Sequence, residues 1–338
     1  MITKKKKTYK VSPDLDGYLG RYGRHSDIPR IYSDLLHFSE AFPHSDPQGR
    51  ETQWLTVVYQ PLERAELNKQ LTRIYAELKI GDLSLAEHLK VERIDFCQFG
   101  NSRPFRIRIT NQYNDNSDHF YVKRADASRI YGLELEHILS PNRINFLVSG
   151  GTLIEEHIAG IPGDAFIREY MGRPDLNQVR IAKEFVKFNE RCFIRLLGDM
   201  RAANYVIDIT PDFEEVQYRV RPIDFDQQSY EGRHKVYLTQ FFTSNYPVVE
   251  LVIGRLNATV IKQYQREERT LIARRSRASR ERLAALLECM ENQELAPAEH
   301  VRQLAAELGD YHKSDAFKNC ERMGALVRAN IRAVLEKI

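Results

Sequence analysis

No run of the sequence comes near the roughly 18 to 20 consecutive apolar residues that a membrane-spanning helix needs, so no membrane span is expected. The basic start, with Lys4 to Lys7, leads into Val-Ser-Pro-Asp-Leu-Asp without an apolar stretch, so no secretory signal is expected either. Cysteine is scarce. Cys97, Cys192, Cys289 and Cys320 lie far apart and form no Cys-x-x-Cys pair, which argues against a zinc site or a disulfide framework and for a reducing cytoplasm. Gly-x-x-x-x-Gly-Lys-Ser/Thr, Gly-x-Ser-x-Gly and His-Glu-x-x-His are absent, which sets aside P-loop, nucleophile-elbow and zinc-peptidase chemistry. Charge of one sign is also lacking, since the formal net charge is +3, too small to imply nucleic acid from balance alone. One run is arginine-rich: Arg266, Arg269, Arg274, Arg275, Arg277, Arg280 and Arg282. Glu267, Glu268 and Glu281 interrupt it, so it reads as the polar face of a long helix, and a nucleic-acid surface there is the lesser reading.

What is present is an ordinary globular balance over 338 residues, enough for two lobes or two domains. Residues 1–50 read as loops and short helices. Thr52 to Tyr59 reads as a strand or buried segment, Leu62 to Leu78 as a helix stopped by Gly81, and Leu83 to Leu89 as a short helix. From Ile94 the pattern changes. Phe105 to Thr110 and Phe120 to Val122 flank Asn-Gln-Tyr-Asn-Asp-Asn-Ser-Asp and predict a hairpin. A helix fits Ala127 to Leu139, ended by Ser140-Pro141-Asn142, and a second hairpin turns at Gly150-Gly151. Leu176 to Leu197 carries apolar residues at 181, 185, 188, 192 and 196, a helical period. Strands are expected at Tyr205 to Ile209 and Val216 to Ile223, and helices over 271–290, 298–308 and 316–336.

The residues that carry chemistry follow that long helix. Gly198-Asp199-Met200-Arg201-Ala202-Ala203-Asn204 precedes an apolar strand, and Ile223-Asp224-Phe225-Asp226 ends the next one. Phosphoryl transfer needs a carboxylate beside the attacking hydroxyl and hard oxygen ligands for magnesium. An Asp and an Asn in one loop, with a second Asp ending a neighbouring strand, supply both.

This stretch resembles the catalytic loop of the protein-kinase-like superfamily, in which Asp-x-x-x-x-Asn precedes a metal-binding Asp. Asp-Met-Arg-Ala-Ala-Asn is close to the tyrosine-kinase version, and Gly198-Asp199 is similar to the loop of aminoglycoside and choline phosphotransferases. Ile-Asp-Phe-Asp resembles the metal motif of lipopolysaccharide sugar kinases. The resemblance spans roughly residues 95–260. It implies an α+β, two-lobed protein-kinase-like fold with a small β-rich N-lobe (94–158) and a helical C-lobe (159–265). Extensions flank it: 1–93, mostly loops and helices, and a helical region at 266–338.

It implies roles as well. Asp199 would orient the acceptor hydroxyl and take its proton, and Arg201 would offset charge on the transferred group. Asn204 and Asp224 would hold Mg²⁺, and Asp226 would assist a second metal or face solvent. Lys123, just before the Ala127 helix, would meet the α/β-phosphates of ATP. Its partner would be Glu134 or Glu136, and Glu134 is favoured because it shares a helix face with Tyr131 and Ile138. Gly100, Asn101 and Ser102 fall where a phosphate-covering loop belongs, though with a single glycine. Backbone groups of Glu156 and His157 are the candidates to meet adenine. The sequence also departs from the family. Leu197 stands where a His or Tyr usually supports the loop, no Gly follows Asp224-Phe225, and no Ala-Pro-Glu segment is found. The expected activity is ATP- and Mg²⁺-dependent transfer of the γ-phosphoryl group to a hydroxyl of a sugar-like small molecule or a protein. A pseudokinase or scaffold without turnover and an AMP-transferring enzyme are the alternatives. Nothing in the sequence names the acceptor or the oligomeric state.

Overall fold

The computed structural model describes residues 6–27, 31–46, 49–79, 83–99, 102–211 and 216–336. It is an α+β structure in two compact units. One is the chain to Ala127 together with Ile144–His157, and the other is Ser128–Arg143 together with Ile158 onward.

The first unit is built on a seven-stranded antiparallel sheet: β1 (Glu40–Ser45), β2 (Glu51–Val58), β3 (Leu89–Cys97), β4 (Phe105–Asn111), β5 (Ser117–Arg124), β6 (Phe146–Ser149) and β7 (Thr152–Glu156), in the order β1-β2-β3-β4-β5-β7-β6. Helices α1 (Pro13–Arg21), α2 (Ile31–Leu35) and α3 (Pro61–Lys79) accompany it. Successive strand residues face opposite ways. Ile94, Ile107 and Phe120 therefore line up across β3, β4 and β5, and Phe96, Phe105, Val122 and Ile154 do so across β3, β4, β5 and β7. All of them lie in one apolar cluster. Leu67, Leu71, Ile74 and Leu78 recur at helical spacing along α3 and join that cluster. Each such side chain contributes about 1.5–3 kcal/mol by leaving water.

The opposite face of the sheet is polar. Asp95 is fully buried there, accepting from Arg106 Nη2 at 2.8 Å, Arg93 Nε at 2.9 Å and the Thr56 hydroxyl at 2.9 Å. The Arg106 guanidinium lies over the Trp54 ring at 4.6 Å. Half-buried His119, Tyr121 and His157 continue this face, with the Tyr121 hydroxyl 3.3 Å from His157 Nδ1.

The second unit opens with α4 (Ala127–Leu139), whose first residue belongs to the other unit. It continues with β8 (Ile161–Pro162), α5 (Gly163–Glu169), α6 (Gln178–Ile194), β9 (Tyr205–Pro211) and β10 (Val216–Pro222). The helices α7 (Tyr246–Arg255), α8 (Ala258–Ala278), α9 (Arg280–Asn292), α10 (Ala298–His312) and α11 (Met323–Leu335) complete it. The long helix α6 starts where the Asn177 side chain accepts the Arg180 N–H. It buries Ile181, Phe185, Phe188 and Cys192 and packs against α7, α8, α11 and β10.

Two expectations need correction. Residues 1–93, expected as mostly loops and helices, also hold β1, which extends the sheet beyond the strand expected at 52–59, and the boundary at 93 falls inside β3. The helix expected over 271–290 is two helices, parted at Ser279 with φ −115° and ψ 33°, although neither Gly nor Pro marks the break. Among the described residues, no helix is long and apolar enough to cross a membrane.

The polar face predicts a pH response. Burial, then Arg106, His157 and Arg108, lower the His119 pKa from 6.5 to about 4, against an opposing pull from Asp118. The unfolded chain then binds more protons than the folded one between these values, so stability is full above pH 6.5 and declines as pH falls toward 4. Solvent around the half-buried ring limits the loss to on the order of 1 kcal/mol. An NMR titration of the His119 ring should find a midpoint near 4. A midpoint at 6.5, or an unchanged acid loss of stability in His119→Gln, would contradict the assignment.

Candidate functional site

The approach to the Asp199 loop is anchored at its base. The last carbonyls of a helix lack intrahelical donors. Here the Asn330 amide on α11 supplies one to Phe193 at 2.8 Å and to Ile194 at 3.1 Å. His312 Nε2 lies 2.8 Å from the Asn330 side-chain oxygen and fixes that amide. Arg195 follows, buried, and forms an ion pair with buried Glu136 on α4.

The next residues are strained. Leu196 (φ 54°), Asp199 (φ 58°) and Ser229 (φ 49°) account for three of the six described non-glycine residues with left-handed backbone. Such conformations cost about 1–3 kcal/mol each and persist where surrounding bonds enforce them. The bonds are present. Gln228 Nε2 donates to the Arg195 carbonyl at 2.6 Å, the Ser229 N–H donates to Leu196 at 2.9 Å, and the Asp199 N–H donates to Val236 at 3.2 Å. The Asn245 side chain donates to Met200 at 2.9 Å and Thr239 at 2.8 Å, and its oxygen accepts the Tyr205 hydroxyl at 3.0 Å. The Ser244 hydroxyl takes the Ala202 N–H at 3.0 Å. Leu197, where the resemblance would have a His or Tyr, is fully buried and pairs with Gln228 in an isolated bridge.

Within the loop, Arg201 grips Asp199 with a fork, Nε to Oδ1 at 3.0 Å and Nη2 to Oδ2 at 2.6 Å. The hydrogen bond to Asp199 raises the Arg201 pKa further, desolvation opposes it, and the charges of Asp199 and Asp224 add to the rise. The Asn204 side-chain nitrogen donates to the Asp199 carbonyl at 2.7 Å, so the Asn204 amide presents its oxygen on the other side. Strands β9 and β10 pair from Pro211 and Val216 back to Tyr205 and Pro222, and the Ile223 N–H closes on the Asn204 carbonyl at 3.0 Å. That closure sets Asp224 beside the Asn204 end of the loop. Asp199, Arg201, Asn204 and Asp224 are thus brought together within one unit. Asp226 joins them through Arg129, whose Nη1 lies 2.9 Å from Asp224 and 2.7 Å from Asp226.

No protein-family model matches the sequence, and no curated protein matches it.

The remaining expected residues lie as follows. In the first unit, Lys123 on β5 forms a buried ion pair with Glu155 on β7, 2.8 Å long. The Glu156 N–H is given to the Asn145 carbonyl at 3.1 Å within the β6–β7 hairpin, and its carboxylate meets Lys79. His157 contacts Tyr121. Ser102 is half-buried, while Gly100 and Asn101 lie outside the described residues. In the second unit, Glu134 is buried on α4 and paired with Arg282 on α9, and Glu136 with Arg195.

The donor set suits a hard divalent cation. Asn204 has an amide oxygen that is not the atom spent on the Asp199 carbonyl, and Asp224 offers a carboxylate with 37% of its side chain exposed. No group of three or more His, Cys, Asp or Glu is arranged to hold a metal among the described residues, and the expected pair of ligands includes one amide.

Four residues that shape the site drew no attention in the sequence: Arg129, Arg195, Gln228 and Asn245. All are ordinary residue types in unremarkable contexts, and their roles come from partners far along the chain. Gly163 has a similar dependence, since a Cβ there would lie 2.3 Å from the Tyr205 ring and 2.5 Å from the Ala202 carbonyl.

Asn245 gives a direct test of how the loop is held. Asn245→Ala removes the amide that serves the Met200 carbonyl, the Thr239 carbonyl and the Tyr205 hydroxyl, and should lower the unfolding free energy by roughly 3 kcal/mol in chemical denaturation. A loss below about 0.5 kcal/mol would show that the loop does not depend on this amide.

Proposed function

We propose that this chain is a phosphotransferase that moves the γ-phosphoryl group of ATP to an acceptor hydroxyl. The observation that carries the reading is the closure of the β9–β10 hairpin by Ile223 on Asn204, which sets Asp224 beside a loop holding Asp199 and Arg201. The order of elements along the chain supports it: β4 and β5, then α4, then β6 and β7, the succession of strand, strand, helix, strand, strand that the resemblance implies.

Bound Mg²⁺–ATP supplies the phosphoryl donor and a counter-charge for its oxygens. Asn204 and Asp224 are the residues that would hold the ion. One Asp199 oxygen accepts the proton of the attacking hydroxyl. Arg201 fixes the plane of that carboxylate and carries positive charge to the place where negative charge spreads in the transition state. The sequence has no Ala-Pro-Glu activation segment, which favours a small sugar-like acceptor over a protein side chain.

Two measurements test the reading. Asp199→Asn should lower Mg²⁺-dependent ATP turnover about 10²- to 10⁴-fold, the range for losing a general base. Turnover equal to the natural chain would remove the catalytic role and leave a nucleotide-binding scaffold. ATP should also raise the melting temperature more with Mg²⁺ than without it, because a ligand of the native state adds stability by mass action. Asp224→Asn should erase that difference. No shift with ATP, ADP or GTP, with or without Mg²⁺, would overturn the proposal. The mass added to a modified acceptor distinguishes a phosphoryl group from AMP.

A further inference from the structure

Resting on the reading above, we infer that the site takes one divalent cation, bound by Asn204 and Asp224, and that the Arg129 guanidinium occupies the electrostatic place of a second. Arg129 sits on the first turn of α4 with only 2% of its side chain exposed. Its Nη1 meets Asp224 Oδ1 at 2.9 Å and Asp226 Oδ1 at 2.7 Å, and its Nη2 donates to the Ile223 carbonyl at 3.3 Å. The Asp226 N–H donates to Asp224 Oδ1 at 3.0 Å. One planar cation therefore ties both carboxylates and the backbone between β10 and the motif.

The two carboxylates differ in access. Asp226 is 13% exposed and lies against the guanidinium, whereas Asp224 is 37% exposed. Mg²⁺ keeps several of its waters when bound, so it needs a carboxylate that solvent can reach. Asp224 meets that need and Asp226 does not. Arg129 lies 2.9 Å from Asp224 and 2.7 Å from Asp226, so it already offsets one of their two negative charges and leaves one for a cation, and a second dication would overfill the pair. Arg129 is held in place by its bonds to Asp224, Asp226 and the Ile223 carbonyl. Its part is to position: it aims Asp224 and cancels the charge of Asp226.

The test counts bound metal. The full chain, saturated with an ATP analogue whose β–γ bridge cannot be hydrolysed, is titrated with Mn²⁺, and free ion is read by electron paramagnetic resonance. One Mn²⁺ per chain is expected. Asp226→Asn should keep its affinity within about 3-fold, and Asp224→Asn should weaken it at least 10-fold. Arg129→Met should raise the count to two, by releasing Asp226 from its fixed cation. Two ions in the natural chain would overturn the inference while leaving the phosphotransferase reading intact. So would an Asp226→Asn loss equal to that of Asp224→Asn, or a count still at one in a folded Arg129→Met. If circular dichroism shows Arg129→Met unfolded, the Asp226→Asn comparison decides. No Mn²⁺ at all in the natural chain would remove both the inference and the reading beneath it.

Discussion

A charge in a protein interior must be matched by an opposite one, because burial strips away its water and an unmatched ion costs several kcal/mol. Helix α4 carries three such charges, Arg129, Glu134 and Glu136, all but fully buried. Each has its counter-charge in a different part of the second unit. Arg129 takes the Asp224–Asp226 motif, Glu134 takes Arg282 on α9, and Glu136 takes Arg195 at the foot of the Asp199 loop. Tyr131 adds a bond to Gln293 at 2.9 Å, and Ser128 one to the Gln228 carbonyl at 2.6 Å. The helix is a fixed strut to which the chemically important segments are tied. A shift along its axis would break several buried pairs at once, so its position is set by charge as well as by packing.

The loop itself shows how one support can stand in for another. Leu197 occupies a position that a ring with a polar edge would otherwise fill, and it contributes only apolar contact. The polar work passes to two carboxamides. Gln228 takes the carbonyls of Arg195 and Leu196 before the loop, and Asn245 takes that of Met200 within it. A carboxamide brings donors and an acceptor without a titratable proton, so these two supports do not themselves respond to pH.

Local features were legible in the sequence. The span of α4 matches the apolar spacing from Ala127 to Leu139, and the two hairpins of the first unit fall where turn residues interrupt alternating strands. The Asp199–Asn204 pair was visible because both residues lie within one short loop. Other features were out of reach because they depend on distant partners. Glu134 was expected to pair with Lys123, on the strand before it, whereas its partner Arg282 lies 148 positions later. Arg129 gave no signal, since an arginine on the first turn of a helix is usually solvated, and its burial follows from where Asp224 and Asp226 come to rest. Strand β1 escaped because it is an edge strand. It contains Pro43, its residues are mostly exposed, and its alternation is correspondingly weak.

The bond from Asn330 to Phe193 joins residues 137 positions apart, and it completes the helix on which the Asp199 loop is mounted. The Phe193 carbonyl also accepts the local Leu196 N–H, but the amide of α11 comes from far along the chain. A contact of that span is rewarded only after the long intervening segment has been ordered. The mount of the Asp199 loop is therefore among the slow, non-local parts of the fold, in contrast to the hairpins of the first unit, whose partners are near neighbours in the chain.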